Sequence, residues 1–83
     1  MQIRLRFFAS LREALGAEAV LDLPADARVA DARVALSALS EAHAQVLGPS
    51  AVLRCAVNQM LCEDNQVLAE GDELAFFPPV TGG

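Results

Sequence analysis

The sequence predicts a two-layer α+β domain, a mixed sheet with helix packed on one face. Three observations lead there. Short segments of alternating hydrophobicity stand at both ends of the chain, a long alanine-rich stretch with helical spacing lies between them, and 83 residues suffice for one core but not two. Hydrophobic residues make up 54% of the chain, but 16 of them are alanine, so the bulky share is that of an ordinary packed domain.

Each element has its own signal. Ile3, Leu5 and Phe7 alternate with Arg4, Arg6 and Phe8, the pattern of a first strand with one buried face. Ser10-Leu11-Arg12-Glu13 has the spacing of a capping box, and Gly16 stands where a short helix would end in a left-handed cap. Ala19 to Leu23 predicts a second strand with Leu21 and Leu23 inward, closed by Pro24. From Val29 to about Ala42 the spacing of Val29, Ala32, Leu36 and Leu39 predicts one main helix, with Arg28, Asp31 and Glu41 toward solvent. Gly48-Pro49 breaks it.

A third strand follows, with Leu53, Cys55 and Val57 on one face. A tight turn at Asn58-Gln59 would set Met60 opposite Val57, Leu61 opposite Ala56 and Cys62 opposite Cys55. Glu70-Gly71-Asp72 signals a turn, Glu73 to Phe77 the last strand, and Pro78-Pro79 its end. This order closes most simply as a β-grasp roll, the ubiquitin-like arrangement of four to five strands in a mixed sheet and one main helix, with the first and last strands parallel neighbours. The domain spans 1–77, and 78–83 forms a flexible tail.

Composition removes several function classes. Eleven acidic against six basic residues give a net charge of -5, which repels phosphate backbones and disfavours nucleic acid. All six basic residues are arginine, which excludes lysine Schiff-base chemistry and lysine-linked self-polymers. Cys55 and Cys62 form no CxxC unit and stand in no His/Cys cluster, so no metal site is expected; as hairpin neighbours they read as two small buried side chains in a reducing, cytoplasmic setting, with a bridge between them as the lesser alternative. Arginines interrupt the N-terminal apolar residues, so neither signal peptide nor membrane anchor is expected. His43, beside the end of the main helix, reads as a solvated or capping residue, and Ser10, Ser37, Ser40, Ser50 and Thr81 offer no triad with it. Glu63-Asp64 and Glu70, Asp72, Glu73 fall in turns without EF-hand spacing and read as solvated charges.

The C-terminus is the remaining candidate. Pro78-Pro79-Val80-Thr81-Gly82-Gly83 carries no charge except at its end, and two residues without Cβ let a carboxylate pass through a channel too narrow for side chains. Six residues reach roughly 20 Å at full extension, and the prolines restrict the base of that arm, lowering the entropy lost on insertion into a partner.

The ending from Gly71 to Gly83, most specifically Phe76-Phe77-Pro78-Pro79-Val80-Thr81-Gly82-Gly83, with Ala56-Val57-Asn58-Gln59 and Ile3-Arg4-Leu5-Arg6-Phe7-Phe8-Ala9, resembles the small-subunit family of molybdopterin synthase, ubiquitin-like sulfur carriers. The resemblance implies that Gly83 is adenylated by an ATP-dependent activating enzyme and converted to a thiocarboxylate. It further implies insertion of the tail, Pro78 to Gly82, into a large synthase subunit, where the sulfur converts a cyclic pyranopterin monophosphate to the dithiolene. The chain would then be a non-catalytic sulfur donor with no bound cofactor, paired with a large subunit as two small and two large chains. A chain ending at the glycine pair would need no trimming. Carriers for thiamine or cysteine synthesis and ubiquitin-like protein modifiers share the Gly-Gly end and are the alternatives.

Strand alternation locates a docking face. With Ile3, Leu5, Phe7, Cys55, Val57, Leu74 and Phe76 toward the helix, Phe8, Ala56, Leu61 and Phe77 lie on the uncovered face. Arg4, Arg6 and Arg54 surround them and could form ion pairs with a partner.

Overall fold

The computed structural model describes residues 1–79. Its elements are β1 (Gln2–Phe7), α1 (Ser10–Leu15), β2 (Glu18–Asp22), α2 (Val29–Ser37), α3 (Glu41–Leu47), β3 (Arg54–Val57), β4 (Met60–Cys62) and β5 (Glu73–Phe77). The sheet order is β2-β1-β5-β3-β4. At its centre β1 and β5 run parallel, with Leu5 beside Leu74 and Phe7 beside Phe76. The other pairings are antiparallel, β1 with β2 and β3 with both β4 and β5. This is the β-grasp roll that the order of elements predicts.

The core lies between the sheet and the helices. Ile3, Leu5, Phe7, Leu74, Phe76 and Cys55 from the strands meet Leu11, Val29, Ala32, Leu36 and Leu47 from the helices, and Phe7 and Phe76 stack with centroids 6.4 Å apart. Burying side chains of this size stabilises the fold by about 1.5–3 kcal/mol each.

The helical layer departs from the expected single helix. The chain breaks after Ser37 and restarts at Glu41, because Ser40 adopts an extended backbone and its Oγ accepts from the His43 N–H at 3.2 Å. Local side-chain bonding of this kind competes with helix continuation, and Ser37 Oγ already bonds back to the Arg33 carbonyl at 2.8 Å. The break takes Leu39 out of the apolar stripe and leaves it 61% exposed. His43 does not close the main helix but lies in the first turn of α3, where Ser40 is the cap and the His43 Nδ1 lies 2.8 Å from its hydroxyl.

At α1 the capping box is absent. Phe8 N–H continues the β1 ladder to the Phe76 carbonyl, the chain turns at Ala9 with φ 55°, and Ser10 becomes the first helical residue rather than the cap. Gly16 leaves the helix at φ 90° and ψ 170°, an extended conformation open to glycine rather than the left-handed cap expected there, with its N–H on the Arg12 carbonyl. The β3–β4 hairpin has the predicted register. Asn58 and Gln59 both take positive φ, 50° and 68°, the geometry of a two-residue type I′ turn.

Arg33 joins the helical layer to the sheet. Its guanidinium donates to the carbonyls of Leu47 (3.1 Å), Gly48 (2.8 Å) and Ala51 (3.1 Å) and pairs with Asp64 at 3.4 Å. One side chain thus fixes the end of α3, the loop to β3 and the segment after β4. Nearby, Cys55 and Cys62 bring their free sulfurs to 3.6 Å, and Cys55 Sγ also lies 3.3 Å from the Cys62 carbonyl. Burial above all, then the hydrogen bond to Cys62 and the neighbouring charges of Cys62 and Asp64, push the Cys55 thiol up to about 12, against a smaller opposing pull from Arg33.

Two predictions test these anchors. Arg33→Ala leaves several carbonyls without their charged donor and should cost about 2–3 kcal/mol in urea unfolding, whereas Arg12→Ala on exposed α1 should stay within about 0.5 kcal/mol. The second concerns alkaline pH. The folded state holds the Cys55 proton more tightly than the unfolded chain, so stability is fully present below pH 9.0 and falls as pH rises from there toward about 12. The chain has neither lysine nor tyrosine, so thiol ionisation dominates that window. Denaturant midpoints measured across it should fall for the wild type, and Cys55→Ala should flatten the decline.

Candidate functional site

Parallel pairing of β1 with β5 separates two pairs of consecutive phenylalanines. Phe7 and Phe76 enter the core, while Phe8 and Phe77 meet on the opposite face with centroids 6.5 Å apart and rings at 83°. The Arg6 guanidinium lies 5.1 Å from the Phe8 ring centroid and 3.8 Å from the Glu73 carboxylate. Cation–π and ion-pair contacts therefore hold Arg6 at the margin of the aromatic pair. Phe8 is 38% exposed and Leu61 62%, and Phe77 is half-buried.

The next row across this face is Arg6, Ala75, Ala56 and Leu61 on β1, β5, β3 and β4. Ala56 was expected to be exposed there, but it is only 7% accessible, as is Ala75. Their short methyls form the floor of the face, and the accessible apolar surface belongs to Phe8, Phe77 and Leu61. Arg54 sits opposite Phe77 and is exposed; Arg4 is exposed too, with its Nε 3.3 Å from the Gly71 carbonyl. On the β2 side a cleft of about 460 Å³ is lined by Arg4, Arg6, Glu18, Val20 and Glu73.

The predicted apolar and basic residues thus share one face: Phe8, Phe77 and Arg54 at the end where β5 leaves the sheet, Arg6 and Leu61 at mid-strand, and Arg4 beside Glu73 at the start of β5. Pro78 and Pro79, both half-buried, follow Phe77 directly and cannot donate to the ladder. Val80, Thr81, Gly82 and Gly83, to which the sulfur chemistry and tail insertion are assigned, lie outside the described residues.

Glu73 and Ala75 belong to this face and were not among the predicted site residues. Their signal was the same alternation that exposes Phe77, since both precede it at steps of two. The acidic turn residues are more than solvated charges. Glu70 accepts the Gln2 N–H at 2.9 Å, and Asp72 accepts from Asn58 Nδ2 at 2.9 Å and the Ala69 N–H at 2.8 Å, which fixes the approach to β5. Among the described residues no group of three or more His, Cys, Asp or Glu side chains could hold a metal ion, and no helix is long and apolar enough to cross a membrane.

Known proteins match this chain along nearly its whole length. The chain is 43% identical over 82 residues to the molybdopterin synthase sulfur carrier subunit of Escherichia coli (strain K12), covering 98% of this chain and 99% of that protein. The crystal structure of SAMP1 from Haloferax volcanii superposes with a TM-score of 0.82 at 32% identity over the full length of both chains. A protein–protein complex of subunits 1 and 2 of the molybdopterin-converting factor from Helicobacter pylori contains a chain matched at a TM-score of 0.72 and 26% identity, again over the full length of both. The ThiS family profile matches residues 5–83, and the chain belongs to the ThiS family.

Proposed function

We propose that this chain is the sulfur carrier subunit of a molybdopterin synthase, acting through its C-terminal glycine. The observation that carries the reading is the junction of a Pro-Pro-Val-Thr-Gly-Gly ending with an exposed aromatic and basic face at its base, in a chain 43% identical to a named carrier of that kind. The terminus is the reacting group. A carboxylate is a poor electrophile, so an activating enzyme that uses ATP transfers AMP to Gly83 and supplies a leaving group. Sulfur attack then expels AMP and leaves a thiocarboxylate, the nucleophile toward a cyclic pyranopterin monophosphate. The ATP site and the substrate pocket belong to partners, and this chain binds no cofactor of its own.

The partner for sulfur transfer is a large subunit, a reading supported by the Helicobacter pylori complex of subunits 1 and 2. Phe8, Phe77 and Leu61 supply the apolar anchor of the docking face, and Arg4, Arg6 and Arg54 meet acidic groups at its rim. Pro78 to Gly82 form the inserted arm, distinct from the domain of residues 1–77. The assembly is two small and two large subunits, and the free thiols suit a cytoplasmic setting. A protein modifier joined to target amines through the same glycine is the alternative raised by the likeness to the small archaeal modifier protein 1 of Haloferax volcanii, but the higher identity to the sulfur carrier subunit does not favour it.

Incubation with an activating enzyme, ATP and a sulfur source separates the two. A carrier gains about 16 Da as sulfur replaces oxygen at Gly83, whereas a modifier appears attached to lysines of other proteins. Removing Gly83, or replacing Gly82 by a bulky residue, should abolish dithiolene formation in the reconstituted synthase while leaving the unfolding midpoint unchanged; retained activity would contradict the assignment. Phe77→Ala should weaken binding to the large subunit by about 1–3 kcal/mol, read in a calorimetric titration, with the domain still folded.

A further inference from the structure

The carrier reading makes no use of Cys55 and Cys62, which lie on the helix side of the sheet, away from the docking face. They are directly opposed across β3 and β4. Opposed residues in an antiparallel pair hold their Cα atoms about 4.5–5.5 Å apart, inside the roughly 4.4–6.8 Å that a disulfide spans. The sulfurs already stand 3.6 Å apart. β4 is an edge strand, and a cleft of about 350 Å³ lined by Leu53, Arg54, Glu63 and Asp64 reaches both cysteines. The two thiols differ in access, since Cys55 is 5% exposed and Cys62 is half-buried.

We propose that Cys55 and Cys62 form a redox site that closes into an intramolecular cross-strand disulfide by exchange with a low-molecular-weight disulfide, Cys62 attacking first and Cys55 resolving. In the first step the Cys62 thiolate forms a bond to one sulfur of the small disulfide and expels the other half as a thiolate. That thiolate then takes the Cys55 proton, and Cys55 sulfur attacks Cys62 Sγ, breaking the mixed disulfide and releasing the second half. Two protein thiols are oxidised and one small disulfide is reduced to two thiols. Cys55 cannot readily act first, because it is buried and keeps its proton. Once Cys62 is in the mixed disulfide, the hydrogen bond and charge it directs at Cys55 are gone, which favours the resolving step. The bridge would tie the edge strand to β3 beneath Arg54 and Leu61, whose side chains point to the other face, so docking is left intact.

The test uses the full reduced chain and oxidised glutathione, with acid quenching and intact-mass measurement. The wild type should lose about 2 Da as a monomer without a lasting adduct, and peptide mapping at early times should find transient glutathione on Cys62. Cys55→Ser should accumulate a stable adduct at Cys62, and Cys62→Ser should react roughly tenfold or more slowly. Lasting wild-type adducts, disulfide-linked dimers, or early glutathione on Cys55 would overturn the proposal. The early wild-type mapping decides the order of attack even if a serine variant unfolds, and none of these readings depends on sulfur transfer at Gly83.

Discussion

Parallel pairing of the first strand with the last is the constraint on which the rest of the molecule depends. The two ends of the sequence become neighbours at the centre of the sheet, with Arg4 beside Glu73 and Phe7 beside Phe76. Because strand side chains alternate, one register decision assigns Phe7 and Phe76 to the core and Phe8 and Phe77 to the open face. A slip of one residue would exchange them. It would expose the stacked pair that fills the core, bury Arg6 and Glu73, and erase the docking patch at the same time. Fold and candidate interface are therefore not separately adjustable here, since both are read from the same four rings.

Alternation is also why so much was legible in the sequence. Ile3, Leu5 and Phe7, or Leu74 and Phe76, announce their face within a few residues, and Asn58-Gln59 leaves two residues to turn a hairpin whose partners then follow by counting. That Phe8, Phe77 and Leu61 share the open face was legible by the same parity. Helices were less so. Val29 to Leu39 keeps helical spacing beyond the point where the helix stops, because Ser40 caps a new one and no apolar pattern records that choice. Ser10 to Glu13 satisfied a capping motif, yet the chain turns at Ala9, so the helix starts one residue earlier and takes Ser10 into its first turn. Arg33 was unremarked because its role is long-range; it binds carbonyls 14 to 18 residues away, which spacing within a helix cannot reveal. Ala56 was placed on its face correctly and misjudged in exposure, since accessibility depends on the height of its neighbours and not on parity.

Charge is distributed to suit the proposed docking. The chain carries a net charge of -5, yet three of its six arginines, Arg4, Arg6 and Arg54, line the open face. A local basic patch on an acidic body orients an approaching partner of opposite local charge and disfavours other faces. It contributes less to holding the complex, because exposed ion pairs are worth at most about 1 kcal/mol each. The apolar anchors must do that. Arg6 joins the two functions, since its contact with Glu73 and its position against Phe8 keep a cation beside the ring that would be buried.

A carrier with its reactive group at the chain end faces a conflict between a rigid body and an arm that must enter another protein. The location of the bonds resolves it. Asn58, Asp72 and Glu70 fix the turn before β5, and Arg33 fixes the helices against the β3 side, so the strand that launches the tail is held along its whole length. Pairing of β5 with β3 then runs to Phe77 and stops, because Pro78 and Pro79 have no N–H to offer. Ladder pairing with β3 therefore ends at Phe77, one of the two rings on the open face. In the proposed reading, a partner that grips Phe77 and Phe8 would also fix the point at which Pro78 leaves the sheet. The proposed docking face and the proposed reacting terminus would then act together, the first setting where the tail begins and the second how far the sulfur could travel from it.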